Sequence, residues 1–297
     1  MNRIRKRLVH LHRCRYMTRN RIRKIISLDS TLTKIYRLTS MEISQLLAMP
    51  TQKAILLYHD LHNSEFHHQI KEDMKTYQIV TLVDESYPPM LKTIKDPPLV
   101  LYAIGDLNLL NRLPALSVIG TRHPTSEAKA KVNLIVTPLV KEKWIVVSGM
   151  AKGIDSLAHQ NSLEYHGKTI AVLGGGFHHI YPKQNIALFQ KISAQGLVLS
   201  EYPPCTSPKP FHFPERNRII SGLSFGTLVI EAKEKSGTLI TVDQALDQGR
   251  EVYAAPGSPL VPQTKGCHKM IQDGAKLVTQ ANDIKEDWEL YKDNWII

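Results

Sequence analysis

The sequence predicts an α/β protein in which a Rossmann-like parallel-sheet domain follows a small all-helical domain. From residue 116 onward, short apolar runs alternate with helical stretches, which is typical of parallel strands joined by crossover helices. Before residue 65, apolar residues recur at helical spacing without strand alternation. With 297 residues, of which 42% are apolar, the chain can bury one large core and one small one.

The helical domain is predicted to cover residues 1–64, with a basic arm at its start. Leucine and isoleucine recur every three or four positions between Leu8 and Leu47. Thr39 precedes one of these apolar runs, where its hydroxyl can cap a helix, and Pro50 closes that helix. The pattern therefore predicts several short helices and no sheet in this part of the chain.

Residues 65–113 are predicted to form an extended connector, because the proline pairs at 88–89 and 97–98 bias the preceding residues away from helix. The Rossmann-like domain is predicted over residues 114–297. Its predicted strands cover residues 117–120, 144–148, 169–173, 197–200, 228–230 and 251–254. Its predicted helices cover residues 126–140, 154–165, 186–194, 239–248 and 283–292, the last of which ends the chain.

The net charge of +11 is concentrated at the start of the chain. Residues 1–24 contain ten Lys or Arg and no acid, whereas the other 273 residues contain 28 basic and 27 acidic residues. An exposed basic arm would attract a polyanion through a screened, non-specific field. An anion site in the main domain must therefore be argued from particular residues.

Several classes of protein are excluded by what the sequence lacks. It has no apolar run of about 18 residues, which a membrane-spanning helix needs. Its basic start lacks the apolar segment of a signal peptide, so the expected location is the cytoplasm. Cys14, Cys205 and Cys267 are far apart and form no CxxC pair, which predicts free thiols and no zinc site. His178 and His179 have no partner at metal-ligand spacing.

Four glycine-containing junctions lie where predicted strands hand over to helices. They are Gly120-Thr121-Arg122, the stretch 148–155, Gly174-Gly175-Gly176 and Ser236-Gly237-Thr238. At the carboxyl edge of a parallel sheet, glycines let the backbone approach a ligand and helix N-termini attract anions. The four junctions together predict an anion-binding surface. They match neither the GxGxxG dinucleotide fingerprint nor the GxxxxGK[ST] phosphate loop, which excludes ATP hydrolysis of the P-loop type.

One predicted helix start contains Pro214 followed by Arg216, Asn217 and Arg218. The two guanidinium groups and the amide can donate hydrogen bonds to phosphate there. The alternative is that Arg216 or Arg218 forms a structural ion pair with Glu201 or Glu231. Lys183 and Asn185 occupy a similar position in a second helix start. Nearby aromatic residues either stack on bases or pack in the core, and these are Phe177, Tyr181, Phe211 and Phe213.

Signals for catalysis are sparse. Asp155 and His159 are one helical turn apart and can be drawn as an acid–base pair, with Ser148 as a nucleophile. Helical Asp and His residues, however, more often cap and pack. The prediction is a binding protein with no catalytic residue and no cofactor.

The junctions belong to a run of motifs that closely resembles the DNA-processing protein A family, also called Smf. In order, the motifs are GTR at 120–122, SGMAKGIDSLAH at 148–159, TIAVLGGG at 169–176, YPKQN at 181–185, SEYPP at 200–204, FPERNRIISGLS at 213–224, EAKEKSGTLIT at 231–241 and GREVYAAPGS at 249–258. The resemblance covers roughly residues 80 to 280. It implies a protein that binds and protects incoming single-stranded DNA in natural transformation and delivers the recombinase RecA onto it.

The resemblance further implies a homodimer and a basic pocket that grips phosphate. Carried onto this sequence, and combined with the junctions, it gives a set of DNA-binding residues: Gly120, Arg122, Ser148, Gly149, Lys183, Asn185, Arg216, Asn217, Arg218, Ser236 and Gly237. The SAM-like helical domain departs from a DNA-binding helix-hairpin-helix, because residues 15–18 (Arg-Tyr-Met-Thr) stand where that motif has glycines. The chain also ends without room for the winged-helix domain of many relatives.

A second hypothesis is an enzyme acting on nucleoside monophosphates, because the glycine-rich edge also looks like that of the lysine-decarboxylase-like phosphoribohydrolases. Their PGGxGTxxE loop carries a glutamate that performs chemistry. Here Thr238, Leu239 and Ile240 follow Gly237, and no acid appears before Asp243. The sequence therefore favours the binding protein, with no small-molecule substrate.

Overall fold

A computed structural model describes residues 3–295, which fold into two compact units. One unit extends to Tyr87 and includes Pro98–Tyr102, and the other comprises Pro88–Pro97 and the chain from Ala103 onward. The predicted fold class is confirmed, because helices occupy the start of the chain and a parallel sheet with helices occupies the later part. Among the described residues, no helix is long and apolar enough to cross a membrane.

Five helices and short strands make up the first unit. They are α1 (Arg3–Arg13), α2 (Arg19–Leu28), a 3-10 helix (Lys34–Arg37), α3 (Ser40–Leu46), α4 (Thr51–His62), α5 (Ser64–Thr76) and β1 (Gln78–Thr81), which lies beside β2 (Val100–Gly105). The predicted cap at Thr39 is confirmed. Its hydroxyl accepts from the Glu42 amide and its own amide donates to the Glu42 carboxylate, so two helix-end donors are satisfied. Pro50 lies between α3 and α4.

The residues predicted to form a basic arm are folded as α1 and α2. Leu8, Leu11, Ile22 and Ile25 are at most 2% exposed, so both helices bury an apolar face. This burial is the tertiary consequence of the helical spacing that the sequence already contains. The segment is therefore part of a packed unit and cannot be removed without exposing that unit's core.

Seven parallel strands form the sheet of the second unit. They are β3 (Ala115–Ile119), β4 (Ile145–Ser148), β5 (Lys168–Leu173), β6 (Leu197–Ser200), β7 (Gly226–Val229), β8 (Glu251–Ala254) and β9 (Lys276–Leu277). Their order is β6-β5-β4-β3-β7-β8-β9, with Ser117 of β3 opposite Val147 on one side and Thr227 on the other. Nearly all residues of strands β3 to β8 are buried, because a parallel sheet is covered on both faces.

The helices of the second unit are α6 (Pro89–Lys92), α7 (Ala128–Lys141), α8 (Ile154–Glu164), α9 (Ile186–Gln195), α10 (His212–Gly222), α11 (Thr238–Asp247), α12 (Lys265–Gln272) and α13 (Asn282–Tyr291). Short 3-10 helices cover Leu107–Asn111, Lys183–Asn185, Pro262–Thr264 and Lys292–Asn294. The Trp288 ring of α13 lies edge-on to Trp144 and Phe225, at 6.0 and 5.3 Å between centroids, which fixes the C-terminal helix to the core.

The six strands and five helices predicted for the Rossmann-like domain are confirmed to within two residues at each end. The sequence did not predict α12 or β9. Gly257, Pro259 and Pro262 gave the stretch before α12 the composition of a loop, and a two-residue strand is too short to show alternation.

The segment 65–113, predicted as an extended connector, carries α5, β1, α6 and β2. The prolines do not exclude structure there, because Pro89 occupies the first turn of α6, where a helix needs no amide donor. Pro98 directly precedes the buried run that leads into β2.

Candidate nucleic-acid interface

A cavity of about 630 Å³ opens at the point where the order of the sheet reverses. Strand β3 has β4 on one side and β7 on the other, and the cavity lies beyond the carboxyl ends of β3 and β7. It is lined by residues 119–123, by parts of α8 and α10, and by residues between 233 and 241. Open parallel sheets bind ligands in this crevice.

Arg122 supplies an exposed cation at the mouth of the cavity. It follows β3 directly, and its guanidinium carbon lies 5.9 Å from the centre of the Phe213 ring on α10. Phe213 in turn lies 5.7 Å from the Tyr181 ring, which is exposed. The wall therefore combines a cation with two aromatic rings, a composition that suits both the phosphates and the bases of a single strand.

Arg216 supplies a second cation, deeper in the cavity. Its Nη1 donates to the Gly149 carbonyl at 2.6 Å and to the Val172 carbonyl, and its Nε donates to Asn217 Oδ1 at 3.1 Å. Burial lowers the pKa of the Arg216 guanidinium to about 10, so it is still charged at neutral pH. A Cβ at position 149 would lie 2.2 Å from Nη1, so a side chain there would displace the Arg216 guanidinium.

Asp155 is the carboxylate of the cavity lining. It accepts hydrogen bonds from the amides of Gly149 at 3.1 Å and Ala151 at 3.4 Å. Burial raises the pKa of the Asp155 carboxyl, whereas the Arg216 guanidinium and the two amides lower it. Asp155 thus holds the loop before α8 and offsets part of the charge of Arg216.

The N-terminus of α11 forms another wall of the cavity. Gly237 precedes the helix without a side-chain cap, and a Cβ built there would meet no atom within 4 Å. The hydroxyl of Ser236 is buried and, within residues 3–295, has no hydrogen-bond partner. Open space beside an uncapped helix N-terminus is the geometry in which backbone amides receive an anion.

The arrangement offers no catalytic centre of the type considered from the sequence. His159 Nδ1 is paired with Thr169 Oγ1 at 2.7 Å, and Ser148 donates to the Val118 carbonyl at 2.7 Å. Burial, reinforced by the charge of Arg216, lowers the pKa of His159 to about 3. Within the described part of the chain, no group of three or more His, Cys, Asp or Glu residues could hold a metal ion.

Comparison with known proteins places the chain in a family. The sequence profile described as DNA recombination-mediator protein A matches residues 78–289. The chain belongs to that family. The resemblance stated from its motifs is thereby confirmed.

Individual members of the recombination-mediator family share both sequence and fold with the chain. It is 48% identical to the DNA processing protein DprA of Bacillus subtilis over 208 residues, which is 70% of each chain. It is 43% identical to that of Streptococcus pneumoniae, over 74% of this chain and 77% of the relative. The X-ray structure of the Streptococcus pneumoniae protein covers 95% of this chain and 97% of its own, with a TM-score of 0.83 and 35% identity.

A structure of DNA processing protein A from Helicobacter pylori, determined to describe its single-stranded DNA binding mode, is also similar. It covers 73% of this chain and 97% of its own, with a TM-score of 0.65 and 30% identity. The sequence identities to these two structures, 35% and 30%, are high enough to indicate more than a shared fold.

Six of the eleven DNA-binding residues predicted for this family member line the cavity. They are Gly120, Arg122, Arg216, Asn217, Ser236 and Gly237. They come from three separate stretches of the chain, which the strand order brings to one edge of the sheet. The first and fourth predicted junctions contribute four of these residues, and the second contributes Ala151 and Asp155 to the lining, so these three junctions converge as predicted. The glycines at 174–176 instead pack against Phe213 and residues 203–208.

The other five predicted residues do not line the cavity. Ser148 and Gly149 are occupied by the contacts described above. The Asn185 amide donates to the Met150 carbonyl at 2.8 Å and to Ser156 Oγ at 2.9 Å, so it braces the loop before α8. Lys183 is exposed outside the lining.

Arg218 follows the structural alternative stated from the sequence. Its Nη2 donates to both oxygens of Glu201, at 2.8 and 2.9 Å, and its Nε lies 3.2 Å from Asp96 Oδ2. The Arg218 side chain and Glu201 are buried. This guanidinium is therefore committed to a structural ion pair.

Lys233, Thr238 and Thr241 also line the cavity, although none of them is among the eleven predicted DNA-binding residues. Lys233 is an exposed cation that follows β7 within the EAKEKSGT motif. Its position just after a strand could have identified it. Of the four aromatic residues considered for stacking, Tyr181 and Phe213 line the cavity and Phe177 is buried elsewhere.

Proposed function

We propose that this cavity binds single-stranded DNA. The observation that carries the proposal is a convergence of groups at the point where the strand order of the sheet reverses. Three cations, Arg122, Arg216 and Lys233, line the cavity there. The open N-terminus of α11 and the Tyr181–Phe213 ring pair line the same cavity. Cations and amides neutralise phosphates, and ring faces accept unpaired bases. The similarity to the Helicobacter pylori protein, described for its single-stranded DNA binding, supports the same ligand class.

The proposed contact set is narrower than the one inferred from the sequence. It consists of Arg122, Arg216, Asn217 and Lys233 together with the loop 236–238. Lys183 is retained as an exposed cation outside the cavity. Ser148, Gly149, Asn185 and Arg218 are proposed to shape the site without contacting DNA, because their polar groups are bonded within the protein and, unlike Arg216, they do not line the cavity.

The proposed role is to protect the strand and to deliver RecA onto it in natural transformation and recombination, with no chemical step. The carboxylate in the lining, Asp155, is held by two backbone amides, and no acid follows Gly237 until Asp243 on α11. Turnover of ATP or a nucleoside monophosphate that is abolished by replacing Asp155 or Asp243 would overturn the non-catalytic part of this proposal. If RecA loads equally onto strands with and without the bound protein, the delivery role is overturned.

The decisive experiment compares Arg122→Ala with Arg112→Ala in fluorescence anisotropy with a homopolymeric thymidine strand. Arg112 is exposed and lies before β3, at the opposite edge of the sheet, so its removal changes charge equally. Loss of one charge-assisted contact of about 1.5–3 kcal/mol should weaken binding roughly 10- to 100-fold. The slope of log affinity against log salt should fall by about 0.7. Equal affinities of the two variants would reject the cavity as the DNA site.

A further inference from the structure

The first unit carries a concentration of positive charge that the cavity does not use. Residues 1–87 contain fifteen Lys and Arg but eight Asp and Glu. Ten of the fifteen lie in α1, α2 and the turn between them, a stretch with no acidic residue. Eight of these ten are arginines.

Some of these charges are neutralised within the unit. Arg5 pairs with Asp84, Arg13 with Asp73, and Arg15 with Asp60 through several hydrogen bonds between 2.6 and 3.0 Å. Each pair joins the basic stretch to an acid far along the chain. These three arginines are therefore structural.

A second set of cations is held by neutral partners. The Arg21 guanidinium donates to the Tyr16 carbonyl at 2.6 Å, and the Lys53 ammonium lies 5.5 Å from the centre of the Tyr16 ring. Such contacts orient a side chain without cancelling its charge. Lys24 is exposed on α2, one turn beyond Arg21. We name Tyr16, Arg21, Lys24 and Lys53 the hairpin surface.

The turn that presents this surface has a defined conformation. Tyr16 adopts a φ of +64° between α1 and α2, and it remains 39% exposed although it is aromatic. Residues other than glycine rarely adopt this backbone conformation. The turn thus places an exposed ring between Lys53 of α4 and Arg21 of α2.

The charge pattern of α2 is unfavourable for the helix alone. Arg21 and Lys24 are three residues apart, and like charges at this spacing repel each other on a helix surface. The first turn contains Arg19 and Arg21 and no acid, whereas the helix dipole favours acids there. A bound polyanion would relieve both penalties, and local rules are commonly broken at functional sites.

From these observations we propose that the hairpin surface binds the phosphate backbone of duplex DNA, independently of the cavity. Arginine forks match phosphate geometry, which favours nucleic acid over other anions. The apolar faces of α1 and α2 are buried in the unit, and the exposed Leu28 at the end of α2 does not make a continuous apolar face that could insert into a membrane surface. The side chains of the hairpin surface project from a turn and from helix surfaces, so they can contact the outside of a nucleic-acid backbone. Duplex DNA presents a denser array of phosphates than a single strand does.

The test uses the full chain and the triple variant Arg21→Gln, Lys24→Gln, Lys53→Gln. A control with the same loss of charge is Lys71→Gln, Lys75→Gln, Lys129→Gln, all at exposed positions on α5 and α7. The hairpin variant should bind a blunt-ended duplex at least about tenfold more weakly at low salt. Its slope of log affinity against log salt should fall by about 0.9 for each lost contact. Its affinity for a thymidine strand should match that of the control.

Three results would overturn the proposal. In the first, the wild-type protein does not bind the duplex at low salt. In the second, the hairpin and control variants bind the duplex equally. In the third, the hairpin variant still binds the duplex but no longer binds anionic phospholipid vesicles. The Arg122→Ala variant separates this proposal from that of the cavity, because it should lose the thymidine strand and keep the duplex. If it keeps both, the cavity proposal fails and the hairpin proposal stands.

Discussion

At the scale of single residues, Arg216 and Arg218 show how two similar side chains acquire different roles. Both belong to α10 and both are buried. Successive helical residues are rotated by about 100°, so positions two apart face nearly opposite sides. Arg216 faces the cavity, whereas Arg218 faces Glu201 and Asp96. The FPERNR motif alone does not distinguish them.

Replacing Arg218 by alanine should destabilise the protein by about 3–5 kcal/mol, because Glu201 would remain buried without its partner. Urea unfolding monitored by tryptophan fluorescence measures this loss. The double variant Arg218→Met with Glu201→Gln should recover part of it, since no charge is then left unpaired. A single variant of normal stability that no longer binds a thymidine strand would instead return Arg218 to the DNA site.

His159 gives the protein a defined sensitivity to acid. Burial and the charge of Arg216 lower its pKa from 6.5 to about 3, so the unfolded chain takes up a proton between these values and the folded protein does not. Its contribution is therefore fully present above pH 6.5 and is lost as the pH falls toward 3.

In His159→Gln, the free energy of unfolding should fall less steeply between pH 6 and 4 than in the wild type, by up to about 1.4 kcal/mol per pH unit. Urea titrations at several pH values give this slope. His166→Gln, a variant at an exposed position, is the control. Parallel curves for the wild type and His159→Gln would contradict the assignment.

At the scale of elements, the site is made by the loops that leave β3, β4 and β7. The loop before α8 depends on Gly153, whose φ is +79° and whose Cβ would lie 2.3 Å from the Thr121 carbonyl oxygen. The loop before α11 contains Gly237 with an ordinary φ of −63° and open space around it. One glycine is required by the fold, and the other leaves room for a ligand.

The two glycines should therefore respond differently to alanine. Gly153→Ala should lower the free energy of unfolding by at least about 1–3 kcal/mol, through backbone strain and steric overlap. Gly237→Ala should fold with wild-type stability and bind a thymidine strand roughly tenfold more weakly, because its methyl group occupies the space of a ligand phosphate. Paired unfolding and anisotropy measurements test both statements. Normal binding by a folded Gly237→Ala protein would remove α11 from the proposed interface.

At the scale of the whole molecule, the homodimer implied by the family resemblance remains a proposal, and we propose its interface in the C-terminal part of the Rossmann-like domain. Strand β9 stands last in the strand order and carries Leu277, which is 45% exposed. Leu260, shortly before α12, is 88% exposed. Exposed apolar side chains near an unpaired strand edge are suited to contact with a second copy.

Sedimentation should therefore give a dimer at micromolar concentration, and Leu277→Lys should shift it toward monomer. Leu134→Lys, at a comparably exposed position on α7, should leave the dimer intact. The prediction fails if the wild-type protein sediments as a monomer while its DNA binding is intact. It also fails if both lysine variants dissociate equally.

The sequence by itself determined the fold class and most of the helices and strands of the Rossmann-like domain, because both depend on local periodicity. The runs at β4 and β6, the amphipathic spacing of α2 and the cap at Thr39 are encoded within a few residues of one another. The motifs determined the family for the same reason. Short elements such as β9 lacked enough residues to show a period.

The tertiary structure alone decided which polar residues line the cavity. Arg216 meets the Val172 carbonyl 44 positions away, Arg218 meets Asp96 at a separation of 122, and Arg13 meets Asp73 at 60. Such pairings depend on the strand order and on helix rotation, which no local pattern specifies. Charge can be counted along a chain, but whether it is neutralised or presented to a partner is fixed only when distant segments pack together.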